Sequence, residues 1–236
     1  MHVASYKGLT YSVLEGEIIV MLDKLQSLNV NLNIKSVEDA SFKSYGKLLQ
    51  GFALEPIIQY AEENVIIPEQ GNNYIASIEA LELFDCIQLI KDKIYGQLEV
   101  EVGSCSGQNT RLTGFEYHQG SEVIIAVTDC VMILGKIYDM DYDDYNSDQS
   151  EIFYVKKGQA VELYGTTLHY TPCKAESKGY ITIVVLLKGT NAQIENSSSR
   201  LLTKKNKYFI THESQEEKIK NGVYPGLKGE LIEIMF

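Results

Sequence analysis

Cysteine and histidine are both scarce in this chain of 236 residues, which has four of each. Cys86, Cys105, Cys130 and Cys173 lie far apart and form no Cys-x-x-Cys. Free thiols in a reducing cytosol are therefore expected, rather than disulfides or a structural zinc. No run of eighteen or more apolar residues occurs, so no transmembrane helix is expected. The start, Met1-His2-Val3-Ala4-Ser5-Tyr6, lacks the charged and apolar regions of a signal peptide, and a cytoplasmic protein is expected. The sequon Asn196-Ser197-Ser198 carries no meaning without secretion. Positive charge is also short. Lys and Arg number 21 against 32 Asp and Glu, for a net charge of −11. Phosphate repels such a surface, so nucleic acid is not an expected partner. The short basic cluster Lys204-Lys205-Asn206-Lys207 does not reverse this.

Hydrophobic residues supply 44% of the chain, enough for a substantial core. Residues 1–20 lack strong periodicity and read as an N-terminal extension or the product of a misplaced start codon. Residues 21–236 read as one domain with a helical part over 22–95, short strands over about 96–190 and a C-terminal wrap over 191–236. Ser36-Val37-Glu38-Asp39 has the form of a capping box, which predicts a helix through Leu49. Leu54 to Val65 and Ile78 to Ile94 also fit helices. The latter puts Ile78, Leu81, Cys86, Leu89 and Ile90 on one core-facing stripe. Leu98, Val100 and Val102 alternate with Glu99 and Glu101, as in a half-buried strand. Val131 to Leu134 and Ile181 to Leu187 read as strands buried on both faces. The acidic stretch Asp139 to Tyr145 fails as a calcium loop, since Asp144 stands where glycine is needed and Ser150 where glutamate is. It reads as a solvated connection.

Two of the four histidines fall in segments rich in carboxylates. The first reads Gly114-Phe115-Glu116-Tyr117-His118-Gln119-Gly120-Ser121-Glu122. Strand alternation sends Glu116 and His118 the same way, Gln119-Gly120-Ser121 is turn-like, and Glu122 opens the next strand. A hairpin would bring Glu116, His118 and Glu122 together near its tip. A glutamate directed into a core is costly unless paired, protonated or metal-bound. The second segment runs from Phe153 to Pro172 and carries Glu162 and His169. Glu162 and Tyr164 share the strand face opposite Val161 and Leu163. Imidazole and carboxylate together suit a divalent ion such as Zn, Mn, Fe or Ni. The candidate ligands are His118, Glu122 and His169. Glu116 or Glu162 would be a fourth ligand or a general base, and Asn109, Arg111, Tyr117, Tyr164 and Tyr170 would line a substrate pocket. The plainer alternative is a solvated turn and a tyrosine-rich strand with incidental histidines.

These two segments resemble the two motifs of the cupin superfamily. His118 and Glu122 match the second histidine and the glutamate of the first motif, with Glu116 at the first histidine's place. Gly158 matches the second motif, but Lys156 replaces its proline and Val161 its histidine. Gly158-Gln159-Ala160-Val161-Glu162 with His169, and Phe42-Lys43-Ser44-Tyr45-Gly46, are similar to stretches of ureidoglycolate lyase. Residues 21–236 resemble more fully an uncharacterised bacterial cupin-like family, through Pro68-Glu69-Gln70-Gly71-Asn72, Glu116 to Glu122 and Thr166 to Tyr170. The resemblance implies a mainly β, cupin-type barrel (jelly roll) with an N-terminal helical region packed on it. It carries over no substrate. The expectation is a metal-dependent isomerase, epimerase or lyase acting on a small sugar, sugar acid or hydroxy acid. A non-catalytic small-molecule binder is the alternative. The expected partner is a small polar substrate, with a homodimer allowed and no membrane contact.

Overall fold

The computed structural model describes residues 21–195 and 197–236. The expectations for residues 1–20 and for the sequon at Asn196 lie outside the described residues.

Among the described residues, sixteen strands and five α-helices follow one another, with three short 3-10 turns between them. The strands are β1 (Ile34–Ser36), β2 (Gly46–Leu49), β3 (Asn72–Ile75), β4 (Val100–Gly107), β5 (Gly114–Tyr117), β6 (Glu122–Ala126), β7 (Cys130–Lys136) and β8 (Tyr145–Asn146). After them come β9 (Glu151–Val155), β10 (Ala160–Leu163), β11 (Thr167–Leu168), β12 (Cys173–Lys174), β13 (Tyr180–Leu187), β14 (Leu202–Lys204), β15 (Lys207–Thr211) and β16 (Leu227–Lys228). The helices are α1 (residues 21–28), α2 (Glu55–Asn64), α3 (Glu79–Glu82), α4 (Asp85–Lys93) and α5 (Glu216–Lys220). One sheet runs β2-β10-β6-β13-β4-β3; a second runs β1-β9-β7-β11, with β12 also paired to β7. A third, β14-β15-β5, sits apart from both paths.

Strand alternation explains the three apolar layers. Between the two large sheets lie Ile124, Ala126, Met132, Phe153, Val161 and Val184 with their neighbours. The opposite faces of the same strands feed two outer clusters. Val123, Ile125, Ile183 and Val185 pack under the helices with Ile57, Ile87 and Ile90. Val131, Ile133 and Ile152 pack under Leu25, Phe115, Leu227 and Ile234. Both faces of β6, β7 and β13 are thus apolar, and their sequences are near-continuous hydrophobic runs for that reason. This is the mainly β arrangement expected, with helices on the outside.

Three local expectations are corrected. The segment from Ser36 to Leu49 is not a helix. Asp39 caps a single 3-10 turn over Ala40–Ser44, accepting from the Ser41 N–H, and β2 follows in register with β10. Phe42 and Tyr45 are buried against Phe153, with ring centroids 5.2 and 5.4 Å away, and tertiary packing wins over the capping pattern. The expected helix from Ile78 to Ile94 is two pieces, α3 and α4, and Ile87 rather than Leu89 is fully buried. At the start of β4 the alternation is imperfect. Leu98 is 59% exposed, whereas Glu101 is buried and accepts the Gly189 N–H at 2.8 Å.

All four cysteines are free and buried. Among the described residues no helix is long and apolar enough to cross a membrane. The acidic stretch forms a tight turn. Asp141 and Asp144 exchange backbone hydrogen bonds, Tyr142 stands in solvent, and Asp143 meets Arg200 at 2.6 Å.

Phe153 is fully buried where the aromatic cluster meets the inner core. Its truncation leaves a cavity that well-packed neighbours fill only in part. Phe153→Ala is expected to cost about 3–5 kcal/mol in chemical denaturation; a loss below 1 kcal/mol would mean that this layer does not hold the sheets together.

Candidate metal centre

β5 and β6 follow one another but do not form the expected hairpin. β5 pairs with β15 in the third sheet, and β6 with β10 and β13 in the large one. The intervening turn is therefore a corner between sheets, and Gly120 supplies its left-handed residue, φ 109°. Phe115 and Tyr117 face the outer core, while Glu116 and His118 turn the other way. Glu122 shares the inward face of β6 with Ile124. The second segment docks directly on the first. The Glu116 N–H donates to the His169 carbonyl at 2.7 Å, and the His169 N–H returns the bond at 3.0 Å. Gly165 permits the close approach: a Cβ there would stand 3.0–3.2 Å from backbone atoms of Gly120 and His118.

The result is a convergent set. His169 Nε2 lies 3.0 Å and His118 Nε2 3.4 Å from the same oxygen, Glu122 Oε2. Glu116 Oε1 is 3.9 Å from His118 Nε2, and one donor atom each from Glu116, His118 and His169 falls within 4.8 Å of the others. His118, Glu122 and His169 are 2%, 6% and 4% exposed. Each imidazole is fixed from behind by a backbone carbonyl. His118 Nδ1 faces the Asn206 oxygen at 2.8 Å and His169 Nδ1 the Thr167 oxygen at 2.9 Å. A carbonyl only accepts, so each Nδ1 carries the proton and each Nε2 of a neutral ring is a bare lone pair. Two lone pairs then face one carboxylate oxygen, an arrangement that is repulsive until something cationic enters. A carbonyl-anchored Nδ1 is also how metal-binding histidines are commonly held.

Without a metal, a proton takes that place. Burial by itself would push the Glu122 carboxyl up. The charge and hydrogen bond of His169, with the His118 ring close by, outweigh burial and hold it well below the usual carboxylate range. Burial by itself would lower His169, yet the Glu122 charge and hydrogen bond raise it from 6.5 to about 9. Glu122 and His169 thus form a buried ion pair.

A cavity of about 120 Å³ opens beside this cluster, lined by Glu116, Glu122, Cys105, Tyr170, Thr182 and Lys207 among others. A larger groove of about 620 Å³ lies elsewhere, along β9 and Gly229, without either histidine. There Lys35 is paired with Glu151, and Ser147 with the Glu230 carbonyl. Only the smaller of the two borders the histidine and carboxylate cluster.

Of the residues proposed from sequence, Glu116, Glu122 and Tyr170 line this cavity, His118 and His169 stand in the cluster beside it, and the other five lie away from it. Glu162 lies on the outward face of β10, because Val161 and Leu163 take the inward positions. It accepts the Ser121 hydroxyl at 2.7 Å and meets Lys47 at 3.0 Å. Arg111 pairs with Glu233 at 3.0 Å, and Asn109 donates to the Thr171 and Pro172 carbonyls. Tyr117 stacks on Tyr208 on the far side of β5, with centroids 4.7 Å apart. Tyr164 sits at the bend before β11, its N–H donating to the Tyr45 carbonyl. Sequence reasoning missed Lys207, whose Nζ pairs with Glu116 Oε2, and Asn206 behind His118. Tyr74 and Asn191 also line the cavity, joined by a 3.1 Å hydrogen bond. No local pattern announces these residues, since they arrive through the β15–β5 pairing and the edge strand β3.

The family described as Domain of unknown function (DUF4867) matches residues 34–232. Among curated proteins, none matches the chain. Solved structures with similarity include a cupin-like protein of Thermotoga maritima, at 15% identity and TM-score 0.27, covering 41% of this chain and 62% of that one. A variant of Bacillus subtilis oxalate decarboxylase aligns at 8% identity and TM-score 0.32, covering 61% of this chain and 36% of that one. Salicylate 1,2-dioxygenase of Pseudoaminobacter salicylatoxidans aligns at 10% and 0.28, covering 56% and 30%. The chain spans less than two thirds of the length of each.

The buried ion pair makes the stability of the metal-free protein depend on pH. His169 is raised, so its contribution is fully present below about 6.5 and is lost as pH climbs through about 9. Glu122 is lowered, so its contribution is present above about 4.5 and is lost only in acid. The melting temperature of chelator-treated protein is expected to fall between pH 6.5 and pH 9, and His169→Gln is expected to flatten that fall. Parallel curves for the two proteins would contradict the pairing.

Proposed function

We propose, on the premise that the chain belongs to the DUF4867 family, that it is a metal-dependent enzyme of the cupin type. Its reaction is an isomerisation, epimerisation or β-elimination on a small sugar acid, hydroxy acid or related compound. One observation carries the reading: two buried imidazoles, each anchored through Nδ1 to a backbone carbonyl, aim Nε2 at one buried carboxylate. His118, His169 and Glu122 would hold the ion, and Glu116 is placed to complete the set. Two nitrogens and carboxylate oxygens form a borderline donor set, fitting Zn, Mn, Fe or Ni. The orphaned His118 Nε2, buried and without a hydrogen-bond partner, supports the fit. A bound divalent ion would supply Lewis acidity toward a substrate carbonyl or hydroxyl.

The chain's own groups do the rest. Glu116 borders both the cluster and the cavity, and it is the carboxylate positioned to take a proton from a substrate carbon or oxygen. Tyr170 keeps its proton at neutral pH, because burial raises it, and it is placed to donate a hydrogen bond within the cavity. Ile124, Val184 and Leu186 form an apolar wall that limits water, which strengthens every charged contact inside. Val184 therefore belongs to the cavity as well as the core.

Metal content and hydrogen exchange test this reading together. The purified protein is expected to hold about one transition metal per chain, with His118→Ala and His169→Ala losing it and Glu162→Gln keeping it. Incubation with short hydroxy and keto acids in D2O is expected to show, by NMR, deuterium entering at a carbon next to a carbonyl or carboxylate. All three reactions begin by breaking such a C–H bond. Stoichiometric metal without any exchange would favour a non-catalytic binder. A chain that binds no metal under any condition would end the proposal.

A further inference from the structure

The cavity contains one cation whose role the metal reading leaves open. Among the described residues that line it, Lys207 is the only basic one. It reaches in from β15, its side chain 21% exposed, and its ammonium pairs with Glu116 Oε2 on the side away from the histidines. The chain as a whole carries a net charge of −11, so long-range attraction does not draw anions to it. A cation retained at the end of an apolar-walled cavity in such a protein is a local device.

Charge counting says what for. Glu116 and Glu122 together carry two negative charges, which balance one divalent ion held between them and the two imidazoles. Lys207, although its ammonium touches Glu116, is then left as one positive charge in excess. A second ammonium, Lys218, stands behind it, 5.0 Å from the Tyr170 ring centre and donating to the Tyr170 hydroxyl at 3.3 Å. In a partly desolvated cavity an uncompensated charge is costly, and the natural remedy is a ligand carrying one negative charge. Neutral hydrogen-bonding groups complete the seat. Tyr74 and Asn191 lie along the wall with Lys207, and Thr171 Oγ1 is buried there without a partner. Ammonium with hydroxyl and amide donors is a carboxylate-binding set. Arg111, the clamp expected from sequence, is committed to Glu233.

Size narrows the ligand further. The cavity is small, about 120 Å³. That suits a short acid held by its carboxylate end.

We infer that Lys207 is the anion-recognition residue of this site, and that with Tyr74, Asn191 and Thr171 it seats the carboxylate of a short monocarboxylic acid whose neighbouring oxygen faces the metal cluster. The inference rests on the metal reading above and deepens it by naming the substrate class.

The test uses full-length protein loaded with zinc, its metal content measured in each sample. Lactate and pyruvate are the carboxylate probes, and lactamide is the neutral probe of nearly the same shape. Binding is read by calorimetry or by ligand-observed NMR. Wild type is expected to prefer lactate over lactamide by about 10- to 100-fold, the usual worth of a charged hydrogen bond. Lys207→Met is expected to keep its zinc and lose that preference, and Lys207→Arg to retain most of it. Equal affinity of wild type for lactate and lactamide would overturn the inference without any variant. So would an undiminished preference in zinc-loaded Lys207→Met, or the binding of neither acid. Failure of wild type to take up zinc would instead fail the metal reading, and chelator-treated wild type distinguishes the two. A preference for lactate that disappears in the treated protein ties the anion to the metal. A preference that persists there and is lost in Lys207→Met upholds the lysine seat alone.

Discussion

Everything chemical in this molecule depends on two imidazole rings that have lost the freedom to turn. The carbonyls of Asn206 and Thr167 each take one Nδ1 proton, and that fixes both which nitrogen is bare and where it points. Both bare nitrogens meet at Glu122 Oε2. Like partial charges so placed require a cation, whether proton or metal, and the fold must supply enough packing to hold them there.

The packing comes from three stacked apolar layers. Because the central strands are apolar on both faces, the two large sheets cannot slide without exposing a hydrophobic surface on one side or the other. The site is built where these sheets give way to the small third one. β5 pairs with β15 rather than with β6, and the cavity lies beside this junction, at the end of the inner core. The inner core continues into the cavity without a break, since Ile124, Val184 and Leu186 belong to both. A polar cluster at the end of an apolar tube is shielded from water yet reachable, the setting in which charges act most strongly.

Two carboxylates near the cluster have different neighbours and different work. Glu122 is held by both histidines and has no lysine beside it, whereas Glu116 is shared between His118 and Lys207. One is suited to holding a cation, the other to standing between the cation and whatever enters the cavity. Glu162, equally buried by position, is spent on Ser121 and Lys47 and serves to tie β10 to the corner after His118.

Although the zone expected to be helical before Gly96 also holds β1, β2 and β3, the local code was enough to find the two histidine-bearing segments and the parity that aims Glu116 with His118. These are nearest-neighbour properties: alternation, turn chemistry and apolar spacing operate over a few residues. Tertiary structure decided the rest. It replaced the expected hairpin by a corner, because β5 found a better partner in β15, some ninety residues later. It turned Glu162 outward, because Val161 and Leu163 claimed the inner face, and in doing so left His169, beyond the strand, to supply the second imidazole. It turned an expected helix from Ser36 to Leu49 into a strand, because β10 needed an edge partner and Phe42 and Tyr45 a buried place. Above all it brought in Lys207 and Asn206 from a segment whose sequence shows only a short basic cluster. Residues so far apart in the chain share no local signal; only the pairing of strands places them within hydrogen-bonding reach.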